Sequence, residues 1–272
     1  MKFSQRRSRN SIICVFTAVT AWWVFDIIDL SLEIQQYYSG WFLVSLITIL
    51  LAFYLRKRLR LQILGSSSSW AQWHYYTGIF LALIFLEHVE FSFPNGLVET
   101  TLTLLLLTVI FSGMVGVMIN RHFARRLASL DEEVIFERIG VLRQQLKTCA
   151  ETLILDTAKA SNSKTLSNYY VTHLVHYFSK PRFIFSHIFG SHYAYICLRQ
   201  QLEKQLRYFN REEAEAAVTL FDLMKKKNTL DIHTALQGVL KYWGLLHLPF
   251  AWMMLLMLLL HIILVYAFRG AV

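Results

Sequence analysis

The chain has 272 residues, of which 55% are hydrophobic and 15% aromatic, and its mean hydropathy is +0.41. Long uncharged runs in such a composition exclude a soluble domain and indicate an integral membrane protein. The net charge of +9 then reflects basic residues beside membrane spans rather than nucleic-acid binding.

The first predicted span is Ser11–Leu30, which follows a basic amino terminus and which we interpret as uncleaved. A polar link, Ser31–Gly40, leads to a short second span, Trp41–Leu55, which ends in the basic turn Arg56–Arg60. Because positive residues collect on the cytoplasmic side of a membrane, we expect the amino terminus and this turn to lie inside.

The third predicted span, Trp73–Phe93, follows a serine-rich linker, Gly65–Ser69, and runs outward. The fourth, Leu97–Asn120, returns to a basic end at Arg121. All three basic ends therefore agree on one orientation.

Residues 121–239 form a polar segment, which we expect to be a mostly helical cytoplasmic insert. We predict one helix from Asp131 to about Ala160, a break at Ser161–Ser163 and a charged helix over Gln200–Lys227. The middle, Tyr169–Cys197, is rich in aromatic residues and histidine. We interpret it as a surface that docks partner subunits, or equally one that lies against the membrane.

Two further patterns in the chain argue against metal centres held by protein side chains alone. His173 and His176 share a helical face, but no Asp, Glu or Cys at ligand spacing supports a metal site there. The three cysteines, Cys14, Cys149 and Cys197, show no C-x-x-C spacing, which argues against iron–sulfur clusters and covalently attached haem.

The fifth predicted span, Trp243–Phe268, carries only two polar side chains, His247 and His261. They are fourteen residues apart, which on a helix is about 1400°, roughly 40° short of four turns, with an axial separation of about 21 Å. His74 and His88 of the third span have the same spacing. Both spans therefore present two histidines on one face at matched levels.

A buried imidazole without a partner costs several kcal/mol in hydrocarbon, so histidines inside spans indicate a functional site. The insert begins and ends on the same side, so the third and fifth spans run in the same direction. His74 then faces His247, His88 faces His261, and each pair could ligate a haem iron. This pattern resembles the di-haem b-type membrane cytochromes of respiratory and photosynthetic electron transport, over these two spans rather than the whole chain.

The resemblance implies two b-type haems, with the iron ligands His74 and His247 in one and His88 and His261 in the other. It implies one-electron transfer, because a bis-imidazole haem has no open coordination position. Small residues would let a macrocycle approach the backbone, although helix packing is their commoner use; they are Gly78, Gly113 and Gly116. Cations that could bind the propionates of the inner haem are Arg56, Arg58, Arg121 and Lys241.

Acidic residues collect at the outer end of the third span, where Glu87 adjoins His88 and Glu90 lies two residues beyond it. Carboxylates at a membrane edge can accept protons, as a quinol-oxidising site requires. Quinone is therefore a candidate second ligand near the outer haem. Solvation of acids at the end of a span explains the same residues without a quinone.

The sequence predicts an all-α integral membrane bundle of about five transmembrane helices with a cytoplasmic helical insert. Its parts are 1–120 with four spans, the insert 121–239, and 240–272 with the fifth span. We expect it in a bacterial inner membrane, in contact with lipid, with the carboxyl terminus outside and with no nucleic-acid partner.

The predicted function is a di-haem b-type cytochrome subunit that passes electrons between a redox partner docked on the insert and quinone or another acceptor. The sequence holds no nucleotide or flavin fingerprint, so we assign no catalytic residue and leave open whether the chain is an enzyme. The alternative is a transporter or assembly subunit whose histidines bind a metal ion or only pack.

Overall fold

The computed structural model describes residues 12–14, 16–17, 19–20, 23–24, 27, 35–58, 67–130, 133–161 and 163–268. Within these ranges the chain is helical and has no strand, so the all-α prediction is confirmed for them. The chain divides into two compact units. The first unit consists of Met1–Val117 and Leu245–Val272, and the second unit of Met118–Gly244.

Four long helices contribute to the first unit. They are α1 (Gln35–Arg58), α2 (Ser67–His88), α3 (Leu97–Ala128) and the last helix of the chain, α9 (Arg211–Ala267). Among the described residues, three helices are long and apolar enough to cross a membrane, namely α1, α3 and α9. The predicted first span, Ser11–Leu30, lies largely outside the described residues, and its described positions are helical.

The core of the first unit is built from apolar side chains of all four helices. Its buried members include Leu46 of α1, Ile84 of α2, Leu106 of α3 and Met254 of α9. Between helices in a bilayer, such contacts stabilise by van der Waals packing rather than by removal from water. This packing places the histidine-bearing faces of α2 and α9 within one bundle with α1 and α3.

Several helix ends in this unit differ from the predicted bounds. α1 begins at Gln35 rather than Trp41, because the polar link contains no residue that breaks a helix before Gly40. α2 begins at Ser67, within the predicted linker, and ends at His88 rather than Phe93. It stops there because Glu90 and Phe91 adopt positive φ angles of 49° and 54°, a left-handed conformation that closes helices.

The second unit contains the carboxyl-terminal part of α3, the first part of α9 and five helices between them. These are α4 (Ile139–Ala160), α5 (Thr165–Tyr169), α6 (Val175–Ser179), α7 (Ile184–Ile188) and α8 (Tyr193–Gln205). A π-helical turn, Tyr170–Leu174, separates α5 from α6. The predicted break after Ala160 is confirmed.

Two predictions for the insert are wrong. The helix expected from Asp131 begins only at Ile139, after a 3-10 turn at Phe136–Arg138. The helix expected over Gln200–Lys227 is interrupted, because Asn210 caps a new helix. Its Oδ1 accepts a hydrogen bond from the Glu213 backbone N–H at 2.9 Å, and Glu213 Oε2 accepts one from the Asn210 backbone N–H at 3.4 Å. This reciprocal pair is a capping box, which starts a helix.

The aromatic segment Tyr169–Cys197 supplies much of the second unit's core rather than a continuous docking surface. Four of its aromatic side chains are buried with Leu202 and Leu220, and they are Tyr169, Tyr170, Tyr177 and Phe178. Tyr177 also donates a hydrogen bond from its hydroxyl to the Met224 carbonyl at 3.0 Å. The exposed aromatics of the segment are Phe185, Phe189 and Tyr193.

A buried ion pair joins Lys227 and Asp231 in this core. Lys227 Nζ also donates to the Lys180 carbonyl at 2.9 Å and lies 4.3 Å from the centroid of the Tyr177 ring. Asp231 accepts a further bond from the Arg182 backbone N–H at 3.2 Å. Burial lowers the pKa of Lys227 to about 8, although Asp231 opposes that shift. Such a pair is costly to break, since one charge would remain buried alone.

His187 is a second buried polar group of this unit, with 1% of its surface exposed. Neither ring nitrogen has a hydrogen-bond partner within the described part of the chain. Burial lowers the pKa of His187 to about 4, and the neighbouring His192, Lys227 and Arg126 act in the same direction. The imidazole is therefore neutral at physiological pH.

We predict that acid destabilises the second unit through His187. Its pKa in the unfolded chain is about 6.5, so the unfolded state binds more protons between pH 6.5 and 4. The free energy of unfolding therefore falls as the pH is lowered through this window, by at most about 1.4 kcal/mol per pH unit. Hydrogen–deuterium exchange of the second unit's amides at several pH values measures this slope.

The substitution His187→Phe removes the titrating group. We therefore expect the free energy of unfolding to fall less steeply with decreasing pH than in the wild type. His176→Phe is the matched control, because His176 is exposed, and it should keep the wild-type slope. Equal slopes in His187→Phe and the wild type would contradict the assignment.

Candidate functional site

Four histidines of α2 and α9 lie in two pairs within the first unit, and they are His74, His88, His247 and His261. His74 lies within electrostatic range of His247, and His88 within range of His261. We call the pair His74 and His247 the first level, and the pair His88 and His261 the second level. His74 precedes His88 in α2, and their partners His247 and His261 follow one another in the same order in α9. The two helices therefore run parallel here.

At the first level, α1 and α3 supply contacts to the imidazoles. The His74 ring lies 5.1 Å from the Phe53 ring, between centroids, and it hydrogen-bonds to the backbone of Leu50. Ser112 belongs to α3, and its Oγ lies 2.7 Å from Nδ1 of His247, the other histidine of this level. A Cβ at Gly113 would lie 3.7 Å from His247 Cε1, which is ordinary contact distance.

At the second level, the same two helices contact the imidazoles. Ser39 Oγ lies 2.9 Å from His88 Nδ1, and Ser39 is almost fully buried. Gly40 approaches the same ring, since a Cβ there would lie 3.3 Å from His88 Cε1. The Glu99 carboxylate lies 4.0 Å from His261 Nδ1.

A cavity of about 460 Å³ is lined by both histidines of the second level. This volume falls within the range of roughly 300–1,000 Å³ typical of ligand sites. Its walls are mainly apolar, with Leu43, Leu106 and Met254 among them, and two carboxylates, Glu90 and Glu99, also line it. The cavity can therefore accept a mainly apolar ligand that contacts imidazole and carboxylate groups.

The donor set fits a haem iron. His74 Nδ1 and His261 Nδ1 are buried and make no hydrogen bond to any described residue. A buried nitrogen of this kind costs free energy unless something binds it. Among the described residues no group of three or more His, Cys, Asp or Glu could hold a metal ion. A haem iron needs only two axial ligands from the protein, because its macrocycle supplies the other four.

The predicted glycines differ in their surroundings. Gly113 contacts His247, as described above, and Gly116 is buried. A Cβ at Gly78 would meet nothing within 4 Å, so there is open space beside the backbone one turn after His74. Gly40, which the sequence reading placed in a polar link, approaches a histidine more closely than the others.

Among the predicted propionate cations, Arg56 and Arg58 have side chains that lie outside the described residues. Arg121 and Lys241 belong to the second unit. There Lys241 Nζ lies 3.8 Å from Glu137 Oε1 and 4.5 Å from the centroid of the Phe136 ring.

The predicted acids flank the second level. Glu87 is half-buried in the last turn of α2, and Glu90 is exposed at the rim of the cavity. Sequence reasoning missed Glu99, which also lines the cavity and whose carboxylate lies 4.0 Å from His261 Nδ1. It also missed Ser39 and Ser112, because a single serine in an apolar helix carries no periodic signal.

We predict that Gly40→Val disturbs the second level while Gly78→Val does not. Both changes place a β-branched residue in a helix, so their intrinsic helix penalties match. Only at Gly40 would the new Cβ press on a histidine ring, at 3.3 Å, and overpacking of this kind costs about 1–3 kcal/mol. Thermal unfolding of the purified protein should show a lower Tm for Gly40→Val, and equal Tm values would contradict this packing.

Comparisons of the chain with known protein families, curated proteins and solved structures find no match. The likeness to di-haem cytochromes therefore depends on the four histidines and their surroundings alone.

Proposed function

We propose that this chain is a di-haem b-type cytochrome subunit that carries electrons across the membrane. The observation that supports it best is the pairing of His74 with His247 and of His88 with His261 on two parallel helices. Packing alone explains one buried histidine, but it does not explain two pairs at matched levels about 21 Å apart along the axis.

In this proposal His74 and His247 would hold one haem and His88 and His261 the other, and each haem would provide reversible one-electron transfer. Apolar side chains of the cavity wall, including Leu43, Leu106 and Met254, exclude water from the second level. Arg56, Arg58, Arg121 and Lys241 remain the proposed partners of the inner haem's propionates.

The proposed topology has five spans, with α2 and the segment Ser11–Leu30 added to the three helices that meet the length and hydropathy requirement. Basic residues beside the spans place the amino terminus and residues 121–239 on the cytoplasmic side and the carboxyl terminus outside. The first level is then nearer the cytoplasm and the second nearer the outer face. We propose the bacterial inner membrane as the location and the insert as the docking site of a redox partner.

We predict that replacing any one of the four histidines by alanine lowers the haem content by about half, because only the level that contains this histidine loses a ligand. The measurement is a reduced-minus-oxidised visible spectrum of the purified protein, scaled to protein concentration. His176→Ala is the control, since that histidine is exposed in the second unit. Unchanged spectra in all four variants would contradict the ligand assignment, and a colourless wild type would favour a transporter or assembly subunit.

We further propose that quinol reacts beside the second level, with Glu87 or Glu90 as the proton acceptor. Glu90 lines the same cavity as His88 and His261. Its carboxylate is therefore placed to accept a proton released in the cavity. A quinol bound there would give up two electrons and two protons on oxidation, and Glu87 or Glu90 would accept a proton.

The double substitution Glu87→Gln and Glu90→Gln should slow quinol-dependent haem reduction by roughly 100-fold, the usual loss on removing a general base. Stopped-flow absorbance measures the rate, and dithionite reduction, which needs no proton acceptor, should still be complete. Glu212→Gln, exposed in the second unit, is the control. A wild-type rate in the double variant would remove the acids from the proposal.

A further inference from the structure

A serine hydroxyl contacts one histidine at each level. Ser112 Oγ lies 2.7 Å from His247 Nδ1, and Ser39 Oγ lies 2.9 Å from His88 Nδ1. Both serines belong to helices that carry no ligand histidine themselves, α3 and α1. In both contacts the hydroxyl meets Nδ1, the ring nitrogen nearer the backbone.

The direction of the hydrogen bond at Ser112 follows from its second contact. Ser112 Oγ donates to the Val109 carbonyl at 3.0 Å, and a serine hydroxyl has one proton to give. Toward His247 the same oxygen then acts as an acceptor, so the proton between them belongs to Nδ1. In a neutral imidazole with a proton on Nδ1, the lone pair is on Nε2.

We infer that Ser112 is a positioning residue that fixes His247 as the Nδ1-protonated tautomer and directs the Nε2 lone pair to the iron of the first-level haem. At the second level Ser39 Oγ contacts the same ring atom, Nδ1, of His88. This inference rests on the proposed haem function. A hydrogen-bond acceptor for the Nδ1–H group also raises the basicity of Nε2. A more basic Nε2 favours ferric over ferrous iron.

The two levels differ in the other partner of each pair. His74 hydrogen-bonds to the Leu50 backbone, whereas His261 lies 4.0 Å from a carboxylate, Glu99. At each level, one imidazole would thus contact a serine hydroxyl, and the other imidazole would contact a different kind of group. Loss of a serine should therefore change one haem and leave the other as it was.

The test is a redox titration of the purified, haem-loaded full chain carrying Ser112→Ala. Removing the acceptor should reduce the preference for ferric haem about tenfold, which raises the midpoint potential of one haem by about 59 mV for a one-electron couple. The other haem should keep its potential. Ser112→Thr retains the hydroxyl and should restore the wild-type value.

Thr108→Val is the matched control, because Thr108 is an exposed residue of the same helix whose hydroxyl bonds the Leu104 carbonyl at 2.7 Å. It should leave both potentials unchanged. Wild-type potentials in Ser112→Ala would overturn this inference while leaving the haem proposal intact. A colourless wild type would overturn the haem proposal and this inference with it.

Should Ser112→Ala fail to fold, the wild type itself provides the test. Nitrogen-15 magnetic resonance of histidine-labelled protein distinguishes the two tautomers of His247, with His247→Gln used to assign the signal. A proton on Nδ1 supports the inference, and a proton on Nε2 overturns it.

Discussion

The first unit depends on one constraint, the partial burial of the imidazoles of His74, His88, His247 and His261 among apolar helices. An imidazole with no bonding partner is unfavourable in such surroundings. The structure meets this need at three of the four rings with a polar group from α1 or α3, and these groups are Ser39, Ser112 and the Leu50 backbone. These contacts hold α1 and α3 against the pair α2 and α9.

The second unit meets a similar constraint in a different way. Its core buries the charges of Lys227 and Asp231, where Lys227 Nζ bonds Asp231 Oδ2 and a backbone carbonyl, and the same Oδ2 accepts a bond from a backbone N–H. The ring nitrogens of His187 are buried there without hydrogen bonds to described residues, and the ring stays neutral because its pKa is low. Polar burial in this unit therefore serves the fold.

The sequence predicted the helical class and the two histidine levels, because apolar length and a spacing of fourteen residues are both periodic signals. It did not predict Ser39, Gly40 or Glu99 as neighbours of the histidines, since those contacts come from the packing of different helices. Helix ends were misplaced where polarity was taken for a loop, as at Gln35 and Ser67. The buried tyrosines of the insert were assigned to a surface because their partners are distant in the sequence.

The most direct test of this account is the haem content of the purified wild-type chain. Extraction into alkaline pyridine and measurement of the reduced haemochrome give the number of non-covalently bound b-type haems per polypeptide. The account predicts two, one for each histidine pair. A chain that purifies folded and helical but without haem would contradict it.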